Sequence, residues 1–230
     1  MPVIDDIHVE PGIEEIARRG MGNAALSRTR VAGLLREVLE EVGAEGLLRP
    51  RAAYGEHRVE GIIEGGFRLQ GDVVIRGGWL PDILPRARSL VAAACTIGPA
   101  LERRSSLYFR QGEQLKGFLL DIVGSAAVDL LAAEVCRRIK EDLGPGTGVS
   151  SPLSPGAGGL PLSLQADLLA LAGAERIGLR ITSGGMLDPR KSLTMLLGTG
   201  EGMPRWTPEE ACARCPMAAE CPYRLREEVP

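Results

Sequence analysis

The stretch from Glu113 to Leu143 places the tightest constraint on what this chain can fold into. Leu119, Ile122, Val123, Ala126, Leu130, Ala133 and Ile139 recur at spacings of three and four, one wide apolar face of a helix running from Gln114 to Leu143. Such a helix is about 45 Å long at 1.5 Å per residue. It needs a second layer against that face. "SLVAAACTI" (Ser89 to Ile97) is a continuous apolar run of strand length and reads as a buried strand. Aromatics make up only 3% of the chain, so the core between these layers is aliphatic.

Around these two segments the pattern alternates in blocks. Pro11 to Gly20 reads as a short helix with proline near its start and glycine as its stop. Leu26 to Val42 has helical spacing, with Gly43 as the expected C-cap. From Val59 to Ile75, short apolar pieces alternate with glycine pairs, as strands joined by turns. Pro99 opens a helix that Gly112 ends, and "GPGTGVSSP" (Gly144 to Pro152) breaks all regularity. A further helix runs from Leu162 to Leu171 with Gly173 as its stop. "RIGLRIT" and "KSLTMLLG" read as two strands of a hairpin linked by "SGGMLDPR". Helices, strands, helices and strands in that order give an α+β fold rather than strict βαβ alternation.

Composition narrows the function classes. A formal net charge of −3 lacks the basic field that non-specific nucleic-acid binding needs. No 18-residue apolar run and no signal peptide is seen, so a cytoplasmic protein without membrane attachment is the expectation. His8 and His57 are the only histidines, too few for a multi-histidine metal site and poor material for triad chemistry. "DIHVEPG" approaches the Asp-x-His-x-x-Gly signature of modules that bind cobalamin through histidine, but Gly12 falls one residue late and His8 reads as a surface residue.

Three stretches carry candidate chemistry. In "SPLSPGAGGLPLSLQ", Gly156, Gly158 and Pro161 occupy the spacing of a dinucleotide loop, but proline fills the third position and no strand leads in. No Gly-Lys-Ser follows, so a P-loop is excluded, and the choice lies between a plain loop and one built for another ligand. "LDPRKS" sets Arg190, Lys191 and Ser192 at a turn into a strand, either as a solvated turn or as an anion or carboxylate contact. "CARCPMAAECPYR" spaces Cys212, Cys215 and Cys221 as C-x2-C-x5-C, which suits a soft metal, a redox thiol set or inert cysteines. A metal would take its fourth ligand from Cys95, Cys136, a partner or nothing, and the Cys-Pro pairs tilt the choice slightly from zinc toward iron–sulfur.

"CTIGPALE", "LLDIVGSAAVDLL", "LSPGAGGLPLSLQ" and "SGGMLDPRKSLTMLLG", in this order and spacing, resemble the reactivation (activation) domain of cobalamin-dependent methionine synthase in its short stand-alone form. "RRGMG" and "RPRAAY" extend the resemblance toward the N-terminus, and the cysteine cluster is similar to tails on some stand-alone relatives. The resemblance implies a twisted, mainly antiparallel sheet with flanking helices. It divides the chain into an N-terminal part of the same domain (1–80), an activation-domain-like core (81–204) and a cysteine-rich tail (205–230). The implied task, within methionine biosynthesis, is S-adenosylmethionine-dependent reductive reactivation of a methionine synthase or related corrinoid methyltransferase. The cobalamin would belong to that partner, and an electron donor such as a flavodoxin or ferredoxin would supply the electron. The chain would position groups without being catalytic alone.

The family loop reads Arg-x-x-Pro-Gly-Tyr, and here Pro152 and Ala157 stand where the arginine and tyrosine would be. The resemblance therefore leaves Ser154, Pro155, Gly156, Ala157 and Gly158, with Arg190, Lys191 and Ser192, as the ligand-binding candidates. The alternative is an iron–sulfur or zinc protein, with Cys212, Cys215 and Cys221 as ligands, that passes electrons to a corrinoid protein or docks on it without S-adenosylmethionine.

Overall fold

A computed structural model describes residues 1–16, 29–78, 80–156, 160–214 and 218–221. In chain order its elements are β1 (Val3–Ile4), α1 (Ile13–Ile16), α2 (Thr29–Ala44), β2 (Arg51–Ile63), β3 (Gly66–Leu69), β4 (Val73–Arg76), α3 (Leu80–Ile83), β5 (Ser89–Thr96), α4 (Ala100–Arg110), α5 (Gln114–Asp142), α6 (Leu164–Ala172), β6 (Arg180–Ile181), β7 (Leu187–Asp188), β8 (Ser192–Thr199) and α7 (Pro208–Arg214). The main sheet runs β4-β3-β2-β5-β8, with β1 also on β2, and every pairing is antiparallel.

β5 lies between β2 and β8, and its side chains divide the core in two. Val91, Ala93 and Cys95 face a layer made of α1, α2, α4 and α5. Leu90, Ala92 and Ala94 face the other side, covered by α6 and the turns around it. Both faces are apolar because both are buried, which is why the strand reads as an unbroken run rather than an alternation. The mixed helix and strand architecture is thus a mainly antiparallel open sheet with flanking helices. Among the described residues no helix is long and apolar enough to cross a membrane.

Several elements differ from the sequence reading. β2 starts at Arg51, eight residues before the first expected strand. Its first half pairs with β5 and its second half with β3. α2 runs through Gly43 and ends at Ala44. Gly46 takes the left-handed angle (φ 58°), and the Leu47 N–H reaches back to the Val42 carbonyl at 3.1 Å, the pattern of a glycine-closed helix end. On α5, Leu131 and Val135 are buried while Ala133 is exposed.

The expected hairpin between "RIGLRIT" and "KSLTMLLG" does not form. Ala174–Ile177 is a 3₁₀ turn closed by Gly178 (φ 74°), which leaves only β6 to pair with β7 in a small separate sheet. β8, apolar on both faces, instead pairs with β5 in the sheet interior. The helix expected over Pro11 to Gly20 is described only as α1, since residues 17–28 lie outside the described residues, Leu26 among them.

α2 is fastened to α4 and α5 by one carboxylate. Glu41 accepts hydrogen bonds from the Tyr108 hydroxyl at 2.6 Å and from Arg104, and Lys116 lies 3.7 Å away.

Candidate functional site

The loop after Pro152 is positioned by the free edge of β8. Leu153 and Leu196 exchange two backbone hydrogen bonds of 2.9 and 2.8 Å, and Val149 bridges Thr199. The segment from residue 149 to 153 thus lies antiparallel along β8 and directs Ser154 toward the strand's start at Ser192. The chain turns at Pro155–Gly156, where the Gly156 N–H donates to the Leu160 carbonyl at 2.9 Å. Gly156 has φ +80°, and a Cβ there would meet only Leu162 Cδ1 at 3.5 Å, so glycine is required by the backbone angle rather than by space. Ser154 is half-buried, and among the described residues its hydroxyl has no partner. Ala157 and Gly158 lie outside the described residues.

Two further elements meet this loop. Gln165, buried in the first turn of α6, donates from Nε2 to the Gly185 carbonyl at 3.3 Å. Gly185 is in the tip between β6 and β7, closed by Thr182 N–H to the Met186 carbonyl (2.8 Å) and braced by an Arg180–Asp188 ion pair of 2.6 Å. The small β6–β7 ribbon therefore folds onto the start of α6, beside Leu162 and Gly156. Leu162 and Met186 remain exposed around it. No sequence signal announces the Gln165–Gly185 contact, because a buried glutamine at a helix start reads as an ordinary polar residue.

Arg190 and Lys191 lead into β8, which Ser192 opens, and carboxylates or hydroxyls of this chain engage each of the three. The Arg190 backbone N–H donates to Glu102 Oε2 at 2.9 Å, with its Nε 3.8 Å from the same oxygen. Lys191 Nζ lies 2.9 Å from Asp121 Oδ1 and donates to Ser125 Oγ at 2.8 Å. Its stem crosses Gly124, where a Cβ would fall 2.6 Å from Leu101 Cδ2 and 3.3 Å from Lys191 Cε. Both cations thus tie the start of β8 to α4 and α5. Ser192 Oγ shares a 2.8 Å hydrogen bond with Thr96 Oγ1 across the β5–β8 pair.

The cysteine tail is rooted beneath the same loop. Ser151 Oγ accepts the Trp206 N–H and donates to the Trp206 carbonyl, each at 3.0 Å. Thr207 and Glu210 then cap α7 reciprocally, Thr207 N–H to Glu210 Oε2 at 2.7 Å and Glu210 N–H to Thr207 Oγ1 at 3.2 Å. Cys212 on α7 and Cys221 beyond it are half-buried, and Cys215 lies outside the described residues. Among the described residues no three potential ligands gather to hold a metal.

Cys95 and Cys136 sit in the core instead, where burial pushes their thiols up to about 12 and about 11. Thiolate is the reactive form, so these two are inert at neutral pH. Iodoacetamide at neutral pH should label Cys212 and Cys221 in the folded protein and reach Cys95 and Cys136 only after denaturation. Peptide mass mapping reads the pattern, and labelling of Cys95 in the folded state would contradict its burial.

No family model matches the chain, and no curated protein sequence matches it. Its structure is similar to the crystal structure of the MetH reactivation domain bound to AdoHcy, with a TM-score of 0.62 at 13% sequence identity. The match covers 76% of this chain and 66% of that one, and it shows the shared fold.

Proposed function

We propose that this chain is a cytoplasmic accessory protein for reductive reactivation of a cobalamin-dependent methionine synthase or related corrinoid methyltransferase, and that it binds an S-adenosyl-type ligand. The carrying observation is the convergence of the Ser154–Gly156 loop, the start of α6 and the β6–β7 ribbon on one end of β8. In the matched structure, a domain of this fold holds AdoHcy.

The residues present fit a ligand held mostly by backbone. Gly156 carries no side chain, Ser154 offers a hydroxyl, and the ribbon tip lies beside the start of α6 next to the loop. S-adenosylmethionine, when bound, supplies a methyl group. The chain's own residues orient it and exclude water. The cobalamin is held by the partner, and a flavodoxin- or ferredoxin-type donor supplies the electron. Neither a histidine nor an activated thiol is brought to the loop among the described residues, so positioning is the chain's contribution.

Calorimetry with AdoHcy tests this reading. Weak binding is expected, because Pro152 and Ala157 lack the charge and ring of arginine and tyrosine. Replacing both (Pro152→Arg with Ala157→Tyr) should tighten it by roughly ten- to hundredfold, the worth of a charge-assisted hydrogen bond. No binding by either form removes the ligand role.

A second reading is favoured by the Trp206–Ser151 clamp, which starts the cysteine tail next to the loop. In it, Cys212, Cys215 and Cys221 hold an iron–sulfur cluster or zinc, and the tail passes electrons to, or docks on, the corrinoid protein. Iron, sulfide and zinc analysis after anaerobic purification tests it. Sub-stoichiometric amounts of all three leave the cysteines inert.

A further inference from the structure

The segment before α1 and the end of α2 enclose a recess of about 490 Å³. Its apolar walls come from three places: Ile7, Val9 and Pro11 before α1, Leu39 and Val42 on α2, and Leu48 on the way to β2. Ile7, Val9 and Val42 belong to the helix-layer core, whereas Leu153 beside the ligand loop belongs to the α6-side core, so the sheet separates the two sites. The segment is moored outside the recess. β1 pairs with β2, Asp6 lies 3.2 Å from Arg138 on α5, and the Gly12 carbonyl accepts the Ile16 N–H at 3.2 Å.

Two glycines keep the space open. A Cβ on Gly43, in the last turn of α2, or on Gly46 just beyond it would meet no heavy atom within 4 Å. Gly46 needs glycine for its left-handed angle, but Gly43 does not, so the missing side chain there serves the recess rather than the backbone. Apolar recesses of roughly 300–1,000 Å³ with a few polar groups are the kind that small molecules occupy.

The polar groups set the sign of the ligand. Among the described residues Glu10 is the one carboxylate on the wall, with His8 Nε2 2.7 Å from its Oε1. α2 ends at the recess with its partial negative charge, and no basic residue stands in its last turn to balance it. No lysine or arginine of the described residues lines the space, and Arg49, next to Leu48 in the chain, has its Cβ against Gly98 instead. A carboxylate and a helix C-terminus at one mouth both favour a cation.

We propose that this recess binds a small amphiphile with a protonated amine on a hydrocarbon body, its apolar part against Val9, Leu39 and Val42 and its ammonium beside Glu10. The site is independent of the adenosyl-ligand reading, and its failure would leave that reading standing.

Calorimetry of the full chain tests the proposal with octylamine, octanol and octanoate, which share a hydrocarbon body and differ in head group. Octylamine should bind saturably and about two- to fivefold tighter than octanol, the worth of one exposed charge pair, with octanoate weakest. Glu10→Gln should remove the octylamine advantage and leave octanol unchanged. Gly43→Leu should fill the recess and weaken octylamine and octanol by roughly tenfold or more. Its melting temperature should not fall, since leucine is the better helix former. Glu10 is exposed at the surface, so its substitution reads out independently of any folding defect in Gly43→Leu. Octylamine affinity that survives Gly43→Leu, an octylamine advantage that survives Glu10→Gln, or no saturable binding of any probe overturns the proposal.

Discussion

Phe67→Ala lowers stability by about 3–5 kcal/mol, the cost of removing a fully buried phenylalanine and leaving a cavity. At 2–4 °C per kcal/mol for a chain of this size, the melting temperature falls by roughly 6–20 °C. Three phenylalanines are present in the chain, and only Phe67 is fully buried; Phe109 and Phe118 are exposed at the α4–α5 turn. Phe67 lies on β3 in a cluster with Ile75, Leu80 and Leu84, so it joins the β3–β4 ribbon to α3. A circular-dichroism melt reads the result. A shift below about 3 °C would mean that the ribbon contributes little to the cooperative unit.

Gly148→Val is the second large effect, and it acts through backbone rather than through a cavity. A Cβ on Gly148 would run into the Gly200 carbonyl oxygen, and the Gly200 N–H donates to the Gly148 carbonyl at 2.9 Å. Two main chains cross there with no room for a side chain, so relief requires moving one away from the other. The cost is about 3 kcal/mol, or roughly 6–12 °C. The same displacement loosens the segment from residue 149 to 153, so the AdoHcy binding proposed above should weaken along with the melt. Unchanged ligand affinity in a destabilised variant would separate the loop from the edge segment.

How much of this was legible in the chain depends on where each element's partners lie. α5 and β5 announce themselves because their apolar positions are fixed by their own periodicity and burial. The first half of β2 does not, because "RAAYGEHR" mixes charges and a glycine, and it becomes a strand only by lying between β1 and β5. Gly43 was a reasonable stop for α2 by composition, but the left-handed angle falls at Gly46. The β6–β8 hairpin failed for a related reason: β8 gains more by burying both faces beside β5 than by pairing with a chain neighbour.

In the candidate site, the loop's glycine and proline were visible as a turn. The carboxylates that engage Arg190 and Lys191 were not, since Glu102 and Asp121 lie 88 and 70 residues earlier in the chain.

The clamp between Ser151 and Trp206 has a practical side for anyone shortening the protein. Ser151 gives its hydroxyl to both backbone groups of Trp206, and its own N–H to the Pro204 carbonyl at 3.2 Å. Cutting the chain before Trp206 would strip that serine of its hydroxyl's partner and free the strap that holds the loop's root against β8. Cutting after Thr207 would remove the cysteines and keep the strap. Two expression lengths differing by a few residues would then answer different questions, one about the tail's chemistry and one about the loop's mooring.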